Sequence, residues 1–223
     1  AGTPAEMCAW YLDNRPNYTA AAWAAEYDCD FSISGGQVFR NVRDRALCEL
    51  EPPKPDEDYV AGLDLAQTTD YTVLVVLDSR RHVVHVERFH RLDWRTQITR
   101  VAATAARYND AWTLVDSTGA GEPVFEALLE AGVRCEGYHF SQSSKSALVN
   151  NLAMMLEREE IALPTAQAWP EGIDELEAFE YSVKDSGAVK TGAPAGMHDD
   201  CVCAVMLAAW GARDPGDFLV QEI

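Results

Sequence analysis

Positive charge is scarce in this chain. Its 223 residues hold 18 Lys+Arg against 36 Asp+Glu, a formal charge of −18 at pH 7. That balance excludes a histone-like protein held to nucleic acid by bulk charge. It leaves room for a nucleic-acid enzyme with locally placed basic residues, or for a protein that takes up divalent cations. No run of about 18 uninterrupted apolar residues occurs, so no membrane span is expected. The basic start and apolar stretch of a secretory signal are missing too. The beginning, Ala1-Gly2-Thr3-Pro4, has no initiator Met and reads as a cut edge rather than a natural start. None of the six cysteines (Cys8, Cys29, Cys48, Cys135, Cys201, Cys203) forms a CxxC pair, which argues against a zinc ribbon. All six read as reduced thiols of a cytosolic protein. No GxxxxGK[ST] motif occurs, and Ser117-Thr118-Gly119-Ala120-Gly121 lacks the Lys that reaches a terminal phosphate, so ATP hydrolysis is not expected.

Apolar content is ample. At 48% hydrophobic residues the chain supports a sizeable core, and its length suits one large domain, alone or with an appended segment. Residues 1–50 carry Trp10, Tyr11, Tyr18, Trp23, Tyr27 and Phe31, with a helix expected over Tyr18–Tyr27, a turn at Ser34-Gly35-Gly36 and a second helix over Arg40–Leu50. Pro52, Pro53 and Pro55 then forbid a helix interior. A boundary is placed there: 1–55 a linker segment, 56–212 the main domain, 213–223 a tail.

From Tyr59 the pattern changes. Strands are expected over Tyr59–Leu65, Tyr71–Asp78 (YTVLVVLD, β-branched and almost wholly apolar) and His82–Arg91. A helix over Arg95–Tyr108 follows from Ile98, Val101, Ala102 and Ala105 at helical spacing. Strand Thr113–Val115, helix Glu122–Ala131, strand Arg134–Phe140, helix Ser144–Glu160, a short strand at Ile161–Leu163 and helix Pro170–Phe179 come next. A hairpin turns at Asp185-Ser186-Gly187, and Met197–Trp210 forms a last buried helix. Three meandering strands followed by α/β crossovers give an α/β fold, a ribonuclease H-like mixed sheet flanked by helices. The fourth strand is then expected beside the first and parallel to it.

Three aspartates stand in unusual surroundings. Asp64 sits inside an otherwise apolar strand, where a lone buried carboxylate costs several kcal/mol unless paired, neutralised or metal-bound. Asp116 ends another strand before a Gly-rich turn, the position where open α/β sheets gather ligands. Asp200 opens an apolar helix after His198 and Asp199. If the first and fourth strands are neighbours, Asp64 and Asp116 meet and the last helix brings Asp200 over them. Such a carboxylate-only site selects hard cations, Mg²⁺ or Mn²⁺. Two ions about 4 Å apart would activate a water and stabilise the leaving oxygen of a phosphodiester. Plainer roles exist for each: Asp116 as a turn cap, Asp199 as the helix N-cap, Asp64 as a structural acid. Asp70 is either an outer metal ligand or a turn residue. His198 is either a phosphate donor, a metal ligand or a structural helix-start residue.

The segments GLDLAQTTDYTVLVVLD, LVDSTGAGEPVFEALLEAG, SQSSKSALVNNLAMMLE and GMHDDCVCAVMLAAW together resemble the C-terminal nuclease domain of the large terminase subunit of tailed bacteriophages, the DNA-packaging motor. AAEYDCDFSISGGQVF resembles the stretch joining that motor's ATPase half to its nuclease. The resemblance covers roughly residues 20–212 and implies a ribonuclease H-like fold. It also implies an endonuclease that cuts concatemeric double-stranded DNA with Mg²⁺ or Mn²⁺ in the host cell cytoplasm. It puts Asp64, Asp116 and Asp200 at the catalytic acid positions, with Asp199 beside them, and leaves open which of the last pair is the principal ligand. It further implies, for the full-length protein, the ATPase domain, a portal and a small terminase subunit as partners. The isolated domain is expected to be monomeric.

Arginine is concentrated in one span. Residues 80–107 hold Arg80, Arg81, Arg88, Arg91, Arg95, Arg100 and Arg107 against Glu87 and Asp93, a local charge of 7 − 2 = +5. This is a candidate phosphate-contacting face, although arginines also suit a solvated edge strand. Lys184 and Lys190 on the hairpin and Lys145 at the start of the long helix are further candidates. The acidic stretch Glu171–Glu180 reads as a solvated helix face. Backbone contacts of this kind imply cleavage with little sequence preference. Rival readings are an actin-like ATPase lobe, another ribonuclease H-like enzyme (transposase, integrase or junction resolvase), and a docking domain with a vestigial site.

Overall fold

The computed structural model describes residues 9–10, 12–15, 18–19, 23, 36–66, 70–120, 122–183 and 189–213. Most of the helix expected over Tyr18–Tyr27, the turn at residues 34–35, Lys184, the hairpin tip and residues 214–223 lie outside them.

A five-stranded mixed sheet forms the centre, in the order β4-β3-β2-β5-β6. Strand β2 (Val60–Asp64) pairs antiparallel with β3 (Thr72–Leu77), and β3 antiparallel with β4 (Val83–Phe89). On its other side β2 pairs parallel with β5 (Trp112–Asp116), which pairs parallel with β6 (Cys135–Tyr138). The expected adjacency of first and fourth strands is therefore present. All six residues of β3, TVLVVL, are buried, as suits a β-branched strand covered on both faces.

Alternation along the strands sorts the side chains into two layers. On one face Ala61, Leu63, Leu74, Val76 and Val115 pack against α1 (Trp94–Arg107) and α3 (Glu122–Glu130), through Val101, Ala105 and Leu128. Helix α1 begins at Asp93, whose side chain accepts a hydrogen bond from the Thr96 N–H at 3.0 Å. A single turn, α2 (Ser117–Ala120), precedes α3. On the other face Val73, Val75, Leu77 and Leu114 meet α4 (Gln142–Glu157), α5 (Pro170–Ala178) and α6 (Asp200–Gly211). Helix α4 starts in a reciprocal Ser141–Ser144 capping box.

Helix α6 is apolar all round because it runs between the sheet and the other two helices; Asp200 through Ala209 are all buried. Its approach to β2 depends on Gly62. A Cβ there would stand 2.1 Å from the Ala204 carbonyl oxygen and 2.3 Å from the Ala208 nitrogen. The helix backbone therefore rests on the strand backbone, two residues before Asp64 and one turn after Asp200.

The segment before Asp56 is fastened to the same core. Val38, Phe39 and Val42 are buried, and Phe39 stacks on Phe179 with ring centroids 5.2 Å apart. The helix expected over Arg40–Leu50 is not formed. Asn41 sits at φ 60, and β1 (Ala46–Cys48) pairs parallel with β7 (Leu163–Pro164) instead. Arg45 holds this strand in place by donating to the Ile161 carbonyl at 3.1 Å, so tertiary pairing overrides local helix preference. The Pro-rich stretch is pinned by Asn109, which donates to the Lys54 and Glu57 carbonyls at 2.8 and 2.9 Å. The last hairpin joins β8 (Glu180–Val183) to β9 (Val189–Gly192).

Among the described residues Cys48, Cys135, Cys201 and Cys203 are free thiols, and no helix is long and apolar enough to cross a membrane.

Candidate metal centre

Asp64 and Asp116 close neighbouring parallel strands. Leu63 pairs with Val115, so the two carboxylates leave the sheet side by side, on the face covered by α4 and α6. Asp116 does two things. Its Oδ1 accepts from the Thr118 N–H at 2.7 Å, so the expected turn cap is real, and its charge acts on Asp64. Asp64 retains some contact with solvent but is mostly enclosed by protein. Burial, and then the charges of Asp116, Asp200 and Asp199, push its carboxyl well above the usual range; Lys145 opposes them.

Asp200 comes from the start of α6. It is buried, and its Oδ2 accepts from the Tyr71 N–H at 3.1 Å. Burial raises its carboxyl as well; the Tyr71 hydrogen bond and His198 pull it down, Asp70 and Asp199 push it up, and the balance stays upward. The His198 ring stands 3.5 Å from Asp200 Oδ2 and 3.6 Å from Asp70 Oδ1, all through Nδ1. Among the described residues Asp70, His198 and Asp200 are the group whose ligand atoms all fall within 4.8 Å of one another. The most compact cluster is therefore Asp70–His198–Asp200, with Asp64 and Asp116 coupled to it through charge.

Asp199 occupies the N-cap position of α6, but its side chain makes no capping hydrogen bond. The plain cap role is thus not what its carboxylate does. It turns to Lys145, whose Nζ lies 3.1 Å away. Burial alone would lower the Lys145 ammonium. Its neighbours Cys203, Asp199 and Asp64 act the other way, and the balance holds the lysine above its ordinary value. Lys145, expected among phosphate contacts, sits inside the acid cluster.

The other basic candidates divide by strand direction. Since β3 runs antiparallel to β2, Asp64 faces Val73 and Val60 faces Leu77. Arg80 and Arg81, just past Leu77, stand at the far end of the sheet from the carboxylates. Arg80 is bound to Asp78 at 2.7 Å, and Arg81 donates to the Ala212 carbonyl and to Glu160. Arg88, paired with Val73, and Arg91 lie at the carboxylate end. Arg91 is exposed, whereas Arg88 turns inward, 3.3 Å over the Tyr71 ring and 3.5 Å from Glu175. Lys190 is exposed on β9. The hairpin reaches the site at its base, where a Cβ on Gly192 would stand 3.8 Å from Asp199 Oδ2.

Nothing in the residue pattern points to Tyr71 as a backbone donor. The acidic stretch 171–180 is also not wholly a solvated face: Glu175 is buried, and its Oε2 accepts from the Cys201 N–H at 2.8 Å. Its position between Ile173 and Leu176 on the inward side of α5 is the one hint a helical projection offers.

The donor set is a test of fit for a metal. The carboxyls of Asp64 and Asp200 are raised by burial and by neighbouring acids, and a His nitrogen stands 3.5 Å from Asp200 and 3.6 Å from Asp70. A hard divalent cation is the partner that relieves both terms at once.

Residues 61–210 match the model of the Terminase RNaseH-like domain. The chain is 29% identical over 210 residues to the large terminase subunit of Thermus virus P23-45, covering 89% of this chain and 43% of that protein. It thus spans under half the length of the curated relatives it matches. The large terminase nuclease from thermophilic phage G20c with bound magnesium superimposes with a TM-score of 0.74 at 28% identity, covering 79% of this chain and 98% of that one. The cobalt-bound form of the same nuclease gives 0.73 at 28%, with the same coverage.

Proposed function

The chain belongs to the Terminase RNaseH-like domain family, and from that premise we propose that it is a metal-dependent nuclease acting in viral genome packaging. The reaction is hydrolysis of a phosphodiester in concatemeric double-stranded DNA, with little sequence preference. The observation that carries it is the convergence of Asp64, Asp116 and Asp200 from two strand ends and a helix start, at one end of the sheet. The G20c relative that binds magnesium and the one that binds cobalt support a divalent cation. Mg²⁺ or Mn²⁺, two ions in all, is the finer proposal. The actin-like, recombinase and docking readings have no observation of their own to favour them.

Bound at these carboxylates, divalent cations supply an activated water and a counter-charge for the leaving oxygen. The chain's own residues do the rest. Asp64, Asp116 and Asp200 hold, with Asp70 and Asp199 as outer ligands. The Tyr71 N–H fixes the Asp200 carboxylate, and Thr118 fixes that of Asp116. Lys145 keeps Asp199 from adding its full charge to the cluster. His198 Nδ1 supports Asp70 and Asp200. DNA backbone contacts are assigned to Arg91 and Lys190 around this end and, on its sequence position alone, to Lys184, with Arg88, Arg80 and Arg81 more remote or already partnered. The segment before Asp56 serves as the connector toward an ATPase half, residues 56–212 as the nuclease, and 213–223 as a tail. In the full-length protein the portal and small terminase subunit are the partners, in the host cytoplasm.

The direct test is plasmid DNA incubated with Mn²⁺, with and without chelator. Chelator-sensitive nicking is expected; no cutting at any workable metal concentration rejects the reading.

A second expectation concerns stability. The raised Asp64 and Asp200 carboxyls bind protons in the folded state that the unfolded chain has already released. The metal-free protein is therefore most stable at low pH in this respect, and loses that stability as pH climbs from the ordinary carboxylate range through the raised values. Metal binding needs the ionised forms, so its stabilisation grows with pH. At 100 times Kd the gain is about 2.7 kcal/mol, or roughly 5–10 °C in melting temperature. Melting curves from pH 5 to 8 with EDTA or Mg²⁺ check this; a metal shift that shrinks with pH contradicts it.

A further inference from the structure

Helix α6 begins in an unusual way. The residue at its N-cap, Asp199, spends its carboxylate on Lys145 and leaves the first turn of N–H groups without a local acceptor. Another element fills that role. Glu175, from α5, accepts the Cys201 N–H at 2.8 Å. Placing a second buried acid next to Asp200 adds repulsion to a site already crowded with negative charge. Arg88 from β4 offsets it, with Nη2 3.5 Å from Glu175 Oε1. The guanidinium also lies over the Tyr71 ring, its central carbon 3.3 Å from the centroid. Tyr71 is the residue whose N–H holds Asp200 Oδ2. This pair thus reaches the residues that support Asp200 on both sides: Glu175 accepts from the helix start, and Arg88 lies over the ring of the tyrosine whose N–H holds Oδ2.

We propose that Arg88 and Glu175 form a positioning pair that sets the direction of the Asp200 carboxylate and releases Asp199 from capping, so that its carboxylate meets Lys145. Neither residue touches substrate or metal. Glu175 supplies from a neighbouring helix the cap that Asp199 withholds. Arg88 neutralises Glu175 and clamps Tyr71. The buried Arg88 Nε, which has no hydrogen-bond partner, fits a group kept in place for its charge and its plane rather than for a complete set of donors. This explains why an arginine in a basic span faces inward, and why a glutamate in an acidic helix is buried. The inference rests on the metal-dependent nuclease reading above.

The test uses the full chain and Mn²⁺ alone, followed by plasmid nicking. Glu175→Ala and Arg88→Met are expected to weaken Mn²⁺ binding by about 10- to 100-fold, the usual cost of losing a group that orients a ligand. Glu175→Gln keeps an acceptor for the Cys201 N–H and is expected to recover most of that affinity. In the variants saturating Mn²⁺ restores part of the cleavage rate, while KM for DNA stays put. If wild type binds Mn²⁺ and cuts, yet folded variants bind Mn²⁺ as tightly as wild type, the positioning pair is wrong. If wild type itself neither binds Mn²⁺ nor cuts, the nuclease reading fails first, and the two failures are distinguishable. Should the alanine and methionine variants not fold, hydrogen exchange on wild type decides. Mn²⁺ is expected to slow exchange of the Cys201 amide at least fivefold; an unchanged rate overturns the coupling.

Discussion

Asp64→Asn is expected to abolish metal-dependent cleavage and, at the same time, to raise the melting temperature of the metal-free protein. Both effects come from one carboxylate. Asp64 is mostly enclosed, and burial together with Asp116, Asp200 and Asp199 disfavours its charged form. An amide of the same shape removes the charge without opening a cavity, so the folded state sheds a repulsive term. The site then loses a carboxylate oxygen donor that is coupled by charge to Asp116, Asp200 and Asp199. A drop in cleavage of about 10³-fold or more corresponds to roughly 4 kcal/mol on the barrier. The melting gain in EDTA is expected to be a few degrees, and the Mg²⁺-induced shift to shrink or vanish. Plasmid nicking and melting curves in EDTA and Mg²⁺ read all three. Normal cutting would place the site elsewhere. A lower melting point in EDTA would mean that Asp64 is held by partners that outweigh its repulsion.

The combination matters because it separates a functional acid from a structural one. A structural buried acid, such as Asp78 bound by Arg80 and by the His82 N–H, loses stability when neutralised. An acid kept for a cation gains stability when neutralised in the cation's absence. Among the described residues Asp64 has no neutralising partner of that kind; its largest opposing influence, Lys145, is already bonded to Asp199.

Much of this was legible in the residues, for identifiable reasons. The run TVLVVL admits few alternatives to a buried strand, and Asp64 and Asp116 stand out because they end apolar strands. Strand adjacency followed from the crossover rule. The unreadable parts share a cause: they depend on which long-range neighbour a local pattern meets. Arg40–Leu50 has nothing in its own sequence to announce pairing with Leu163 and Pro164. The +5 arginine span looks like one face only if the β3–β4 reversal is ignored. Chain direction sends Arg80 and Arg81 to one end of the sheet and Arg88 and Arg91 to the other. Asp199 has the composition of an N-cap, yet a lysine from α4 claims its side chain. Glu175 reads as one more acid of a solvated helix until α6 is seated against it.

Gly62→Ala is the second large effect, and it acts through the backbone. The glycine is a close-approach residue rather than a turn residue. A methyl group would stand 2.1 Å from the Ala204 carbonyl oxygen, 2.3 Å from the Ala208 nitrogen and 3.0 Å from the Ala208 Cα. All three are backbone atoms of a helix packed on its far side by α4 and α5, so no side chain can swing away. Either α6 lifts or β2 bends. Overpacking against atoms that cannot yield belongs at the upper end of its usual cost, about 3 kcal/mol or more, which lowers the melting temperature by roughly 6–12 °C. Function suffers more than stability. Ala204 lies one helical turn beyond Asp200, and Gly62 lies two residues before Asp64, so the displacement opens between two of the three central carboxylates. Cleavage is expected to fall by at least 100-fold even where the variant remains folded. Gly211→Ala is the control: its added methyl meets the Trp112 ring at 2.7 Å and Val60 Cγ1 at 2.8 Å, both side-chain atoms at the other end of α6. Those can shift, and the carboxylates are a helix length away, so a modest melting loss with near-normal cleavage is expected. Equal loss of cleavage in the two variants would show that α6 transmits strain along its whole length, and that the backbone contact at Gly62 has no special hold on the site.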